Sequence, residues 1–259
     1  MANGRKRAVI VGGATGIGSG ICRAAAARGY RIELCDIDEA GAGALAAALS
    51  NIRVHRVDVT DAASIEAAER AIRADPQPID LLFANAGAIA LKPFVATTDD
   101  DWNWLFSINF FGCVKTVRTF LPGLLAQHSR SRICVTSSVA ALRTPPMEGQ
   151  TMYMATKSAQ LGFCNGLRVE LEGTPVDLSV IMPGPVKSLL RSKSESTRPG
   201  AVTIDISAVV ASGPVMISPE QAGERILSGA EEGRPFIATH PEEKSLVMAM
   251  QKQVLHAFD

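Results

Sequence analysis

The sequence has no surplus of charge of either sign. Its 26 Lys and Arg are matched by 26 Asp and Glu, a formal net charge of +0. Broad nucleic-acid binding shows as a basic excess, so that class of partner is excluded. The balance says nothing against a small anionic cofactor. Disorder is excluded as well, because 47% of residues are apolar and only 20% charged, the proportions of a chain that buries a core.

Cysteine offers no framework. The five residues, Cys22, Cys35, Cys113, Cys134 and Cys164, are odd in number, widely spaced and free of any C-x-x-C pattern. A disulfide scaffold and a zinc ribbon are both excluded, and the cysteines read as small buried hydrophobes in a reducing compartment. The four histidines (His55, His128, His240 and His256) are scattered, so no metal site is expected. No uncharged run reaches the ~18 apolar residues that a membrane helix needs. Arg5-Lys6-Arg7 followed by Ala8-Val9-Ile10-Val11 mimics a signal peptide, but the apolar run ends at Gly12-Gly13. That is short of the ~7–15 residues of a signal core, and a first strand is the better reading. A cytoplasmic protein with neither a nucleic-acid nor a membrane partner is expected.

What is present is a rhythm. β-like runs fall at 8–11, 31–35, 53–57, 81–84, 133–136, 178–182 and 236–238. Between them lie helix-like stretches rich in Ala, Leu and Glu, clearest at 18–28, 38–49, 62–74, 102–121 and 153–172. Such alternation predicts an α/β protein built on a doubly wound, seven-stranded parallel sheet with helices on both faces. Asp61 and Ser64, and Thr98 and Asp99, stand where helix caps belong. Residues 189–218 break the rhythm with Ser, Pro and Gly. They are read as a lid inserted into a single domain spanning 1–259, not as a domain boundary.

The first strand runs into Gly12-Gly13-Ala14-Thr15-Gly16-Ile17-Gly18 and then a helix. Glycines allow a sharp turn and close approach of a pyrophosphate, and the helix start supplies N–H donors. The spacing G-x-x-x-G-x-G fits neither G-x-G-x-x-G nor a P-loop, since Ser19-Gly20 replaces the required Lys-Ser/Thr. Asp36 ends the second strand, eighteen residues past Gly18. A carboxylate there can accept both hydroxyls of an adenosine ribose and repels a 2′-phosphate, which points to NAD. The plainer reading is that Asp36-Ile37-Asp38 caps the next helix, a task Asp38 can perform alone.

Ligands bind at the carboxyl ends of parallel strands. Asp58-Val59, Asn85-Ala86-Gly87, Ser137-Ser138 and Pro183-Gly184 follow the third to sixth strands. Each alone is ordinary turn chemistry; together they form a polar row. Tyr153 and Lys157, at i and i+4, share one helix face. A lysine cation lowers the pKa of a nearby phenol, so the pair can exchange a proton with a substrate oxygen while hydride moves at carbon. Of the two tyrosines, Tyr30 and Tyr153, only Tyr153 has this lysine.

These motifs together resemble the short-chain dehydrogenases/reductases, whose fold is the Rossmann fold. The resemblance covers most of the chain and is weakest beyond about residue 188. It implies that Gly12, Thr15, Gly16, Ile17 and Gly18 cradle the pyrophosphate and that Asp36 and Ile37 meet the adenosine ribose. Asp58 and Val59 would flank the adenine, while Asn85, Ala86 and Gly87 would line the cofactor. Pro183, Gly184, Val186 and Ser188 would form the nicotinamide-side loop. Tyr153 would be the general acid/base and Lys157 would bind the nicotinamide ribose. Asn109 would hold a water linked to Lys157, and Ser138 would hold the substrate oxygen. Met147, Gln150 and Pro185 would complete the substrate wall, and a homo-oligomer, dimer or tetramer, is implied.

Two departures from the family pattern stand out. Val11 replaces the usual Thr before Gly12. The fifteen residues from Ser138 to Tyr153 are slightly more than is usual, with Pro145-Pro146 in the added length. The longer loop leaves Ser137 and Ser138 both open as the donor, with Ser138 preferred because Val-Ala-Ala follows it. The activity expected is NAD-dependent interconversion of a small-molecule secondary alcohol and a ketone. Two alternatives are a C=C reductase, whose tyrosine would stand at Gln150, and an NADH-sensing regulator without catalysis.

Overall fold

Strand β1 (Arg7–Val11) is buried along its whole length, and its side chains alternate between two apolar layers. Val9 and Val11 face one core, which they share with Ile65, Leu82, Phe120, Ile133, Cys164 and Val180. Ala8 and Ile10 face the other, with Ile21, Ile32, Leu34, Leu45, Phe83 and Ile226. A strand covered on both faces favours apolar residues, which is why Ala8-Val9-Ile10-Val11 reads as a continuous run.

The computed structural model describes residues 5–144, 146–204 and 216–259. After β1 come α1 (Gly16–Ala27), β2 (Arg31–Asp36), α2 (Glu39–Ala48), β3 (Ile52–Arg56), α3 (Ala62–Arg73) and β4 (Leu81–Ala84). Then follow α4 (Asp99–Phe106), a π turn (Ser107–Phe111), α5 (Gly112–Ala126), β5 (Ser131–Thr136), α6 (Thr151–Glu170) and β6 (Val176–Met182). The chain continues through α7 (Leu190–Thr197), α8 (Pro219–Glu231), β7 (Phe236–Ala238) and α9 (Lys244–Leu255). All seven strands are parallel, in the order β3-β2-β1-β4-β5-β6-β7. The order reverses between β1 and β4, and a doubly wound sheet opens its ligand crevice at such a point.

The caps follow local chemistry. Thr98 and Asp101 form a capping box on α4, and the side chains of Asp61 and Asp38 cap α3 and α2. Ser64 does not cap; its hydroxyl accepts the N–H of Asp58 at 3.0 Å and ties the end of β3 to α3. The stretch read as one helix over 102–121 is two helices joined by the π turn, and α5 runs past Pro122. All five cysteines are free and buried.

Residues 189–218 are not loop throughout, since they contain α7. Positions 205–215 of the expected lid, and Pro145 of the expected loop insertion, lie outside the described residues. The described part is fastened down. Leu91 donates to the Ala201 carbonyl at 2.8 Å and accepts from Thr203 at 2.9 Å. Asp101 takes Lys92 Nζ at 2.7 Å and Arg198 Nε at 2.8 Å.

Candidate active site

The glycine turn between β1 and α1 depends on backbone freedom and close approach. Gly12 has φ +84°, and a Cβ there would strike the backbone of Ala86. Gly16 has φ +53° with Ser188 against it. Both positions favour glycine, the first for conformation and for space. Asn85 fixes the turn from below: Nδ2 donates to the Gly12 carbonyl at 2.7 Å, and Oδ1 accepts from Thr136 Oγ1 at 3.0 Å. One side chain thus ties the ends of β1, β4 and β5.

Asp36 stands at the same rim. Its Oδ2 accepts from Ala14 N–H and its Oδ1 from Asp38 N–H, each at 2.9 Å. Asp38 caps α2 through Gly41 and pairs with Lys193 of α7. Its carboxyl is held below the usual range, chiefly by the Lys193 hydrogen bond. The exposed Ile37 flanks this rim. Asp58 caps its own turn through Thr60, and Val59 packs under Gly112.

Tyr153 and Lys157 lie on one face of α6, the Lys157 ammonium 5.7 Å from the centre of the Tyr153 ring. Tyr153 packs beside a small apolar cluster of Ala88, Ala90, Leu105, Met152 and Ala201. Burial pushes its phenol above the ordinary value, and the Ser138 hydroxyl works in the opposite direction. Burial also pushes Lys157 down, to about 8. The ammonium donates to the Thr136 carbonyl at 2.9 Å and to Gln160 Oε1 at 3.0 Å. The sequence pattern suggested a cation aimed at the phenol; in the protein it is held by these two oxygens.

The two serines differ in what they bind. Ser137 Oγ donates to the Lys157 carbonyl at 2.8 Å and locks β5 to α6. Ser138 accepts from Ala140 N–H at 3.1 Å and lies beside Tyr153. Asn109, in the π turn, is fully buried. Its side chain exchanges two hydrogen bonds with Ala88 and donates a third to Thr156. Gly87 adjoins both Asn109 and Lys157.

Two residues of the site were not legible in the sequence. His240, one of four scattered histidines, is buried behind the 183–188 loop. Its Nδ1 faces Gly184 N–H at 3.1 Å and its Nε2 faces the Pro185 carbonyl at 3.0 Å. A Cβ on Gly184 would meet its ring. Gln160 is fully buried, and its Nε2 donates to the Asn109 carbonyl at 2.9 Å. Its spacing of three from Lys157 was the available signal. Of the substrate-wall candidates, Met147 is half-buried, while Gln150 is buried at the start of α6 with Oε1 unpartnered among the described residues. The glycine turn, Asp36, the 85–87 segment, Ser138, Tyr153, Lys157 and the 183–188 loop all lie at the carboxyl ends of the strands. No group of three potential metal ligands occurs among the described residues, and none of their helices is long and apolar enough to cross a membrane.

The chain is similar to known proteins over most of its length. The family pattern described as short chain dehydrogenase matches residues 6–199. A D-threitol dehydrogenase of Mycolicibacterium smegmatis is 33% identical over 193 residues, covering 73% of each chain. A 1-deoxy-11-beta-hydroxypentalenate dehydrogenase of Streptomyces avermitilis is 28% identical over 247 residues, covering 92% of this chain and 86% of its own. Among solved structures, a short-chain dehydrogenase/reductase from Burkholderia phymatum in complex with NAD superposes with a TM-score of 0.85. It is 28% identical over 98% of this chain and 95% of its own.

Proposed function

The chain belongs to the short-chain dehydrogenase/reductase family, and from that premise we propose that it is an NAD(H)-dependent oxidoreductase interconverting a secondary alcohol and a ketone. The observation that carries the reading is Tyr153, with Ser138 beside it and Lys157 one turn along α6, at the carboxyl end of the sheet. The cofactor fits this crevice: a Cβ at Gly12 or Gly18 would strike backbone, and Asp36 presents a carboxylate at the rim.

In this reading Gly12 to Gly18 and the start of α1 hold the pyrophosphate through backbone N–H groups. Asp36 and Ile37 hold the adenosine ribose, Asp58 and Val59 the adenine, and the 183–188 loop the carboxamide side. When bound, NAD supplies the hydride acceptor. Ser138 positions the substrate oxygen, since the Ser137 hydroxyl is already committed to the Lys157 carbonyl. Tyr153 takes the hydroxyl proton in oxidation and returns it in reduction. Lys157 binds the nicotinamide ribose and keeps a positive charge near the phenolate as it forms.

The preference for NAD over NADP rests on Asp36, whose charge opposes a 2′-phosphate. Met147, Gln150, Pro185 and the described part of 189–218 (residues 189–204 and 216–218), acting as a lid within one catalytic domain, form the substrate wall. The exposed Phe111 and Val169 offer apolar surface for a homo-oligomer, which light scattering measures.

The test is turnover of a panel of secondary alcohols, polyols included, followed by NADH absorbance and repeated with NADP. Tyr153→Phe should abolish turnover and leave NADH binding intact. Undiminished turnover in that variant overturns the assignment. Tight NADH binding with no turnover across the panel would instead favour the sensing role.

A further inference from the structure

The amide of Gln160 joins two groups of the site. Lys157 Nζ donates to Gln160 Oε1 at 3.0 Å, and Gln160 Nε2 donates to the Asn109 carbonyl at 2.9 Å. All three side chains are buried, Lys157 at 4% exposure and the other two at 0%. The amide matches both neighbours, since Oε1 accepts from the cation and Nε2 donates to the carbonyl.

We infer that Gln160 is a positioning residue that fixes the Lys157 ammonium against the Thr136 carbonyl and is itself anchored on the Asn109 carbonyl. The inference rests on the oxidoreductase reading above. Thr136 and Gln160 take two of the three Lys157 N–H donors, which leaves one for the nicotinamide ribose. The titratable groups facing Lys157 are Tyr153 on α6 and Cys113 on α5; no carboxylate among the described residues pairs with it.

Two substitutions separate positioning from packing. Gln160→Leu keeps volume and removes both hydrogen bonds. Gln160→Ala opens space into which water can enter and bridge Lys157 to Asn109. Loss of a hydrogen bond to a buried cation predicts a fall in kcat of roughly tenfold for Gln160→Leu, with partial recovery in Gln160→Ala. A packing role predicts the reverse order, because the larger cavity is the more damaging.

The second readout needs no turnover. The side-chain carbon resonances of Lys157, titrated in the cofactor-free protein, should shift their midpoint down by about one unit in Gln160→Leu, where the cation has lost an acceptor. Gln160→Glu, nearly the same shape, should move the midpoint up and serves if the leucine variant does not fold. An unmoved midpoint in all variants, or Ala slower than Leu, overturns the inference. Absence of turnover in the unmodified protein would count against the oxidoreductase reading alone, and the titration would still decide the role of Gln160.

Discussion

Asp36 accepts the backbone N–H of Ala14 at 2.9 Å, so the carboxylate that ends β2 also holds the glycine turn that follows β1. Its other oxygen accepts from Asp38. Asp36→Asn leaves one acceptor oxygen for these two donors and removes the charge. The expected outcome is a KM for NAD about tenfold higher, with a smaller rise for NADP, since the opposition to a 2′-phosphate is gone. Equal rises for the two cofactors would show that Asp36 only braces the turn.

His240 secures the 183–188 loop from behind, through Gly184 and Pro185. His240→Ala leaves a half-buried N–H and a half-buried carbonyl without their partner, at a combined cost of about 1–3 kcal/mol. Thermal melting should fall and the KM for NAD should rise, with His240→Asn recovering part of both because its amide oxygen can accept from Gly184. Unaltered NAD affinity in His240→Ala would confine the residue to folding.

Asp101 binds Lys92 and Arg198 together, and with them the segment that follows α7. Burial alone would raise its carboxyl, but the hydrogen bonds from Lys92, Arg198 and Thr98 hold it well below the usual range. Asp101→Asn should speed amide hydrogen exchange at 198–204 and raise the substrate KM, leaving β1 and β4 as protected as before. Identical exchange at 198–204 would mean that the Leu91 backbone bonds suffice.

Glu33 is fully buried between Arg7, with Nη2 at 2.7 Å, and His55, with Nε2 at 2.7 Å. Burial pushes its carboxyl up, but the hydrogen bonds and charges of His55 and Arg7 outweigh it and leave it below its ordinary value. A carboxyl lowered on folding contributes stability above its unfolded value, near 4.3. That contribution is lost as pH falls through the lower folded value. Glu33→Ala should therefore cost about 3–5 kcal/mol at pH 7, since it leaves the Arg7 charge buried without its main partner. Its stability should also fall less steeply in acid than that of the unmodified protein. Denaturant unfolding at pH 7 and pH 4 measures both effects.

The fold was legible because the information lies in local pattern. All seven strands appear at the β-like runs between helical stretches, and Asp38, Asp61 and Thr98 cap as their side chains suggest. Tyr153 and Lys157 were legible because helical spacing alone puts them on one face. The π turn at Asn109 was not legible, since an extra residue in a helical turn leaves no mark on apolar periodicity. Nor was His240, whose contacts are 55 and 56 residues away in the chain. Where a lysine cation settles depends on competing acceptors, and neither the Thr136 carbonyl nor Gln160 Oε1 announces itself in sequence.

The parallel sheet has a further consequence. Every strand points the same way, so the residues assigned to chemistry collect beyond one end, while Arg7 fastens the other to the carbonyls of Ile72, Asp75 and Gln77. Between Arg7 and Gly12 lies β1, roughly 17 Å of strand. Sites so far apart, with no shared partner, perturb free energy independently. Substitutions around Arg7 should therefore add to those around Tyr153, which makes this protein one in which robustness can be engineered at one pole without retuning the other.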